Sequence, residues 1–308
     1  MKFSLSMRHL EIFQQVNHHG GFNRAAAHLH IAQSALSRHV QQLEADLGVV
    51  LFDRSGRGVQ LTPAGEILAQ RVDSLLRQFR QTRDEIVAKA DVPRGELVIG
   101  FPPSMQAIAT RLLAKYRNAY PDVALTVWVS TSIELRESLL SGHIDVAIFG
   151  ILEPETVLES YPFQRDQVYA LGHAKSVLNG QTIDMRTFSG LPLILTSRPN
   201  SMRLLIDHAA QRLNLSLDVI MDVNSIPLLI DLVRNGLGYT ALPASAIRDL
   251  RHADEFTSSP LKQISYRWTV SNSRERPLSA AGRQFRSMVL ELAGDREIVH
   301  ALADRQAL

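Results

Sequence analysis

Phe22-Asn-Arg-Ala-Ala-Ala-His-Leu-His-Ile-Ala-Gln-Ser-Ala-Leu-Ser-Arg-His-Val-Gln-Gln-Leu-Glu-Ala-Asp-Leu-Gly-Val-Val-Leu-Phe52 contains two short helical patterns with almost no spacer between them. The first places Phe22, Ala26 and Leu29 on one face; the second places Ile31, Leu36, Val40, Leu43 and Leu47 at helical intervals. The join from Leu29 to Gln33 is too short for a deep antiparallel hairpin but suits two helices meeting steeply. That is helix-turn-helix geometry, in which the second helix enters the DNA major groove. Gln33, Ser34, Ser37 and Arg38 lie at the start of the second helix, away from its apolar stripe, and Asn23 and Arg24 open the first. Short hydrogen-bonding groups and guanidinium ions suit base edges and phosphates, so these six are candidate DNA contacts. The same pattern also fits an ordinary amphipathic helix pair with a solvated polar face.

Downstream, Leu47-Gly48 stops the helix, and two short apolar runs flank Ser55-Gly56-Arg57-Gly58. They read as a small β-hairpin. Arg54 and Arg57 at its tip could reach a phosphate or a narrow minor groove, or simply decorate an exposed turn. Thr62-Pro63 then opens a long helix, with a capping threonine and proline at the first helical position. Thr62 is also a candidate DNA contact. No proline occurs from Ala64 to Val92, and Leu68, Val72, Leu75, Phe79 and Ile86 advance in steps of four and three, with Thr82 in the missing place. This heptad seam predicts pairing with another helix. Arg71, Arg77, Arg80 and Arg83 read as its solvated face.

The order of parts resembles the LysR-type transcriptional regulators. Ala25-Ala26, Leu29, Ala32-Gln33, Leu36-Ser37-Arg38, Leu43-Glu44, Leu47-Gly48, Leu51-Phe52, Arg54 and Leu61-Thr62-Pro63-Ala64-Gly65 carry the match. It continues more loosely to near residue 295. Ser34 departs from it, since many members carry proline there; serine still serves as a cap or phosphate donor. The resemblance implies a homotetramer built as a dimer of dimers on an interrupted palindrome, with a small-molecule effector altering DNA bending. RNA polymerase is a further partner it brings into view.

Composition sets bounds. The chain has 308 residues, enough for two or three domains, and at 45% hydrophobic and 21% charged residues it has a soluble globular balance. The absence of cysteine excludes disulfides, thiol catalysis and cysteine-bound zinc. With neither a signal pattern nor a membrane-length apolar run, the expectation is a cytoplasmic protein without membrane association. Eleven Lys and Arg against eight Asp and Glu up to Ala90 make the first part mildly basic within a net charge of +2. Six of the eleven histidines precede residue 40, so DNA binding is expected to rise as pH falls. His18-His19 and His28-x-His30 lack a third ligand at suitable spacing, so neither metal nor cofactor is expected.

Val92-Pro93-Arg94-Gly95 is a hinge-like break. Beyond it strands and helices alternate, predicting an α/β fold with open parallel sheets. Strands are expected at Glu96 to Gly100, Ala124 to Val129, Asp145 to Phe149, Val168 to Leu171, Leu193 to Leu195, Leu217 to Val223 and Tyr239 to Leu242. Two similar halves imply two subdomains with a cleft between them, the first regaining the chain near Tyr266 to Val270 and taking the last helix. This resembles the periplasmic-binding-protein architecture that LysR-type regulators use as an effector domain.

Ligands in such sheets bind at strand carboxyl ends near helix N-termini. That rule selects Pro102-Pro103-Ser104-Met105, Ser130-Thr131-Ser132 and Phe149-Gly150 in one half. In the other it selects Thr196-Ser197-Arg198-Pro199-Asn200-Ser201 and Asn224-Ser225-Ile226. The hydroxyls suit an organic anion such as a carboxylate, with Arg198 as its charge partner, although each also suits a plain helix cap. Pro103-Ser104, Ser132 and Pro199 to Met202 align with the family's effector loops.

An enzyme is disfavoured: no nucleophile elbow, P-loop, dinucleotide fingerprint or His-Glu-x-x-His occurs. His143 with Asp145 lies at a helix-to-strand join, where Asp145 opens a strand in the family's Gly-x-x-Asp pattern. A free-standing solute-binding protein has no use for residues 7 to 62. An effector-independent architectural DNA binder leaves the C-terminal fold unexplained. The expected organisation is a winged helix-turn-helix over 1–62, a linker and dimerisation helix over 63–92, and an effector domain over 93–308. Within the last, one subdomain covers about 93–165 and 267–308 and the other about 166–266.

Overall fold

The computed structural model describes residues 6–53, 59–87, 93–151, 156–247, 250 and 252–294. Arg54 and Arg57 lie outside the described residues. The chain divides near residue 90 into two compact units.

The first unit begins with α1 (Met7–His19), α2 (Phe22–Leu29) and α3 (Gln33–Leu47). Gly20 and Gly48 end α1 and α3 in the left-handed conformation, at φ 62° and 70°, where a side chain would be strained. The strands β1 (Phe52–Asp53) and β2 (Gln60–Leu61) pair antiparallel, and α4 (Pro63–Val87) follows. Glu44 fixes the turn into β1 by accepting from Leu51 N at 2.8 Å and Phe52 N at 3.2 Å. Thr62 caps α4 as its position predicts, its hydroxyl accepting from Gly65 N at 3.1 Å and donating to Val50 O at 2.6 Å. A Cβ on Gly65 would come within 2.1 Å of Leu51 O, so glycine lets the first turn of α4 close on this loop.

The three-helix core contains Ile12, Phe13, Val16, Phe22, Ala25, Leu36, Val40, Leu43, Leu51 and Phe52. Helix α1 supplies the first of these, and the two helical patterns of the opening stretch supply most of the rest. Val72 and Leu76 of α4 join this core, with Leu68 partly buried against it. The single continuous seam expected on α4 therefore divides. Its first part packs onto α1–α3, because the stripe that faces them includes position 76. Leu75, Phe79 and Ile86 remain exposed, together with Ile67.

The second unit starts with β3 (Gly95–Phe101), a 3-10 turn (Pro103–Met105), α5 (Gln106–Ala119), β4 (Val123–Val129), α6 (Ser132–Ser141) and β5 (Val146–Gly150). Next come β6 (Leu158–His173), α7 (Met185–Ser189), β7 (Leu193–Thr196), α8 (Ser201–Arg212), β8 (Val219–Val223), α9 (Ile226–Arg234) and β9 (Thr240–Pro243). It ends with α10 (Ala244–Ile247), β10 (Phe256–Ser273) and α11 (Ala280–Gly294).

Among the described residues six strands form one mixed sheet in the order β4-β3-β5-β10-β6-β9, and β7-β8 form a second. The β3–β4, β3–β5 and β7–β8 pairs are parallel, as helical crossovers require. The β5–β10, β10–β6 and β6–β9 pairs are antiparallel. The expectation of open parallel sheets is thus corrected. Two long strands, β6 and β10, run through both halves in opposite directions and stitch them together. Asp145 secures the start of β5, its carboxylate accepting from Val98 N at 2.8 Å, which is a structural role.

Candidate functional site

Helix α3 is held by its buried face. Leu36, Val40 and Leu43 lie in the core, so the opposite side must face solvent. Gln33, Ser34 and Arg38 are exposed and Ser37 is half-buried, forming one polar stripe over the first turns. Gln33 Nε2 donates to Ser37 Oγ at 2.9 Å, bracing the stripe across one helical turn. Asn23 and Arg24 are exposed on α2, and Arg24 donates to Gly20 O at 2.6 Å, tying it to the end of α1. Thr62 has its hydroxyl committed to the α4 cap and to Val50, so it contributes mainly to the seating of the hairpin.

Two groups of histidines meet in the same unit. His19 lies 4.4 Å from His28 and 4.9 Å from His18, ring centre to ring centre, and Nε2 of His19 is buried with no hydrogen-bond partner. Desolvation, then His28, His18 and Arg24, hold its pKa below the usual histidine value. His39 of α3 packs 5.3 Å from His9, and desolvation with His9, Arg8 and Arg38 lowers it likewise. Among the described residues no cluster of His, Asp and Glu is arranged to hold a metal ion.

The second unit contains a cleft of about 570 Å³, part of it open to solvent. The sequence-selected residues Pro103, Ser104, Thr131, Ser132, Thr196, Asn200, Ser201, Met202, Asn224 and Ile226 all line it. They converge because strands β3, β4 and β7 end there and helices α6, α8 and α9 begin there. Asn200 caps α8 by accepting from Met202 N at 2.9 Å and Arg203 N at 3.2 Å, and receives Thr196 Oγ1 at 3.1 Å. Thr131 and Glu134 form a capping box on α6: Thr131 N donates to the Glu134 carboxylate at 3.1 Å. Hydrogen bonds from Ser130 and then Thr131 hold that carboxyl below its ordinary pKa, so a negative charge already sits on this helix start.

Eight sequence-selected residues lie elsewhere, Ser130, Ser197 and Ser225 among them. Met105 is buried in the core, and Phe149 packs on a separate apolar cluster with Leu135 and Leu158. Gly150 and Pro199 do not line the cleft. Arg198, expected as the charge partner, is exposed and paired with Asp207 at 2.8 Å. Arg203 is buried, and it is bound to Asp207 and Asp222. Among the described residues no charged side chain lines the cleft.

Sequence reasoning selected Pro102 with its loop, and it missed Leu242, Pro243 and Tyr266. Leu242 and Pro243 end β9, so the strand-end rule could have found them. Tyr266 lies in the middle of β10, where that rule does not look. Its phenol is buried on the cleft floor, bonded to Ser132 Oγ at 3.4 Å and to Ser201 Oγ, and Ser201 Oγ donates to Ser132 Oγ at 3.0 Å. Burial raises the Tyr266 pKa, so this hydroxyl keeps its proton.

Two family descriptions match the chain. "Bacterial regulatory helix-turn-helix protein, lysR family" matches residues 7–66, and "LysR substrate binding domain" matches residues 90–294. The chain belongs to the LysR-type transcriptional regulators. It is similar to the nitrogen assimilation regulatory protein nac of Klebsiella aerogenes, 32% identical over 80% of this chain and 81% of that protein. Its fold is that of a full-length OxyR from Pseudomonas aeruginosa, with TM-score 0.71 at 22% identity, covering 92% of this chain and 97% of that one. Full-length CbnR complexed with its target DNA gives TM-score 0.71 at 21% identity, over 93% and 99% of the two chains. As a LysR-type regulator, the protein is a DNA-binding transcription factor with an effector-binding domain. Among the described residues no helix is long and apolar enough to cross a membrane.

Proposed function

We propose that this LysR-type regulator reads an interrupted palindrome at a promoter through paired helix-turn-helix units. Arg38, Gln33, Ser34 and Ser37 act on base edges and phosphates. Asn23, Arg24, Arg54, Arg57 and Thr62 set the approach to the backbone. Residues 1–62 form the DNA-binding part, 63–92 the pairing helix and hinge, and 93–308 the effector part, with halves at about 93–165 plus 267–308 and 166–266. The exposed Leu75, Phe79 and Ile86 supply the pairing surface of a dimer, and two dimers associate as a tetramer in the cytoplasm. RNA polymerase is the downstream partner. No chemical turnover is involved; the cleft binds and releases.

The effector is a small organic acid with an apolar body. Its carboxylate is recognised by hydroxyls and helix-start N–H groups rather than by a salt bridge, in keeping with a cleft to which no described residue brings a cation. Effector binding changes promoter binding only in so far as the effector prefers one arrangement of the assembly.

One observation carries this reading: a helix-turn-helix with an exposed polar α3 stripe shares a chain with a unit whose cleft gathers hydroxyls from both halves. Selection of sheared genomic DNA by the purified protein at near-physiological salt tests it. Enrichment of one interrupted palindrome is expected. Binding without enrichment at any site would overturn sequence-specific regulation.

A further inference from the structure

We propose that Tyr266 is a clasp across the floor of the effector cleft, and that an effector's polar head group binds by taking its place on Ser132 and Ser201. This rests on the effector-cleft reading and adds to it a group that the approach through strand ends does not select.

The argument begins with what fixes the ring. Tyr266 lies on β10 opposite Asp166 of β6, on the two strands that both halves share. A Cβ on Gly150 would fall 2.0 Å from the Tyr266 ring, so the ring passes directly over a backbone that has no side chain. Trp268 packs edge-on at 4.7 Å, and its Nε1 donates to the buried Asp166 carboxylate at 3.2 Å. Asp166 also accepts from Ser245 N at 2.9 Å, at the start of α10. The phenol is therefore aimed by its surroundings and not by a free rotamer choice.

What the phenol reaches gives the clasp its meaning. Ser132 opens α6, which follows β4 in one half; Ser201 opens α8, which follows β7 in the other. Tyr266 bonds both hydroxyls, and they bond each other. Three O–H groups can satisfy one another in a closed ring, each donating once. The two helix starts are thereby linked to each other and to β10. A head group that accepts from Ser132 and Ser201 must open this ring, since each serine has a single O–H and already donates it within the ring. Effector occupancy and the clasp then compete, which gives the effector different affinities for clasped and unclasped arrangements, the condition for any regulatory shift.

Hydrogen exchange on the full-length protein tests the clasp without an effector. Tyr266→Phe keeps the ring and removes the hydroxyl; Ser201→Ala removes the other end. Each is expected to speed amide exchange in the first turns of both α6 and α8 by roughly five- to tenfold, the loss of about one hydrogen bond's protection. Exchange in α5 and α11 should stay at the wild-type rate, which separates the clasp from general destabilisation. Wild-type rates at both helix starts in both variants would overturn the clasp. Faster exchange confined to one helix start would overturn its bridging role.

Operator affinity then tests regulation, using the site recovered by genomic selection. Tyr266→Phe is expected to change it by a factor of roughly five or more. Unchanged affinity alongside faster exchange would make the trio a structural feature and overturn its regulatory part. Failure of the selection itself would count against the DNA reading and leave the exchange result to judge the clasp separately.

Discussion

Arg38 projects from the exposed stripe of α3, whereas the hydroxyl of Thr62 is bound on both sides within the fold. Two candidate DNA contacts should therefore fail differently. Arg38→Ala should weaken binding to the specific site by about 1–3 kcal/mol and to random DNA by less, as read by anisotropy titrations on both. Thr62→Ala should leave that discrimination intact and lower stability by about 0.5–2 kcal/mol, the usual effect of losing a helix cap, as read by urea unfolding. Histidine behaviour also belongs to this scale. His19 faces His18, His28 and Arg24, with Asp73 of α4 lining the same hollow, and His39 faces His9, Arg8 and Arg38. Both have folded pKa values below 6.5, so the unfolded chain binds more protons than the folded one as pH drops past that value. Their contribution to stability is full above about pH 6.5 and is lost below it. Melting of the DNA-binding unit should therefore shift to lower temperature between pH 7.5 and 5.5, and His19→Gln with His39→Gln should flatten the shift. The expected rise of DNA binding on acidification runs against this loss. Sequence spacing could not reveal the opposition, because His9–His39 and His19–His28 meet only when α1 packs against its neighbours.

Helix α4 shows how far an element can be read in advance. Its start at Thr62-Pro63 and its apolar stripe are legible, since capping chemistry and helical period are local. Which partner the stripe meets is not local, and the structure assigns Val72 and Leu76 to the helix-turn-helix core while leaving Phe79 52% and Ile86 79% exposed. Two substitutions of the same kind should then part company. Phe79→Asp should dissociate the proposed dimer while leaving each chain folded, seen as a smaller sedimentation coefficient with unchanged helical circular dichroism. Val72→Asp buries an unpaired carboxylate and should unfold the DNA-binding unit instead, with loss of helical signal. Strand β6 is the opposite case. Only Val168 to Leu171 reads as a strand, yet β6 runs from Leu158 to His173. Its first half carries Glu159, Gln164 and Arg165 in a pattern of mixed exposure, and it becomes strand because β10 pairs along its length. The cleft loops were legible because strand ends and helix caps carry local signals; the cleft floor was not, because Tyr266 enters from that long pairing.

At the scale of the molecule, each of the two units has its own apolar core, one built around Phe13, Phe22 and Phe52 and the other around Phe101, Trp268 and Phe285. Differential scanning calorimetry should resolve more than one transition. Phe52→Ala, which empties a fully buried aromatic site at a typical loss of about 3–5 kcal/mol, should lower one transition and leave the other in place. A single transition moving as a whole would show that the two cores unfold together. The pairing of β10 between β5 and β6 has a consequence for how the chain is made. Strand β5 is complete at Gly150, yet the neighbour that covers its edge does not begin until Phe256. During synthesis the helix-turn-helix can fold as soon as α4 has left the ribosome, since no described residue after α4 belongs to its apolar core. The effector part must wait: β5 and β6 each emerge with an unpaired edge and keep it until nearly the whole chain is translated. Nascent chains stalled before residue 256 should therefore depend on chaperones and aggregate when released, while those stalled after α11 should not. The gene order of this protein thus delivers the part that finds DNA early and the part that senses the effector only at the last.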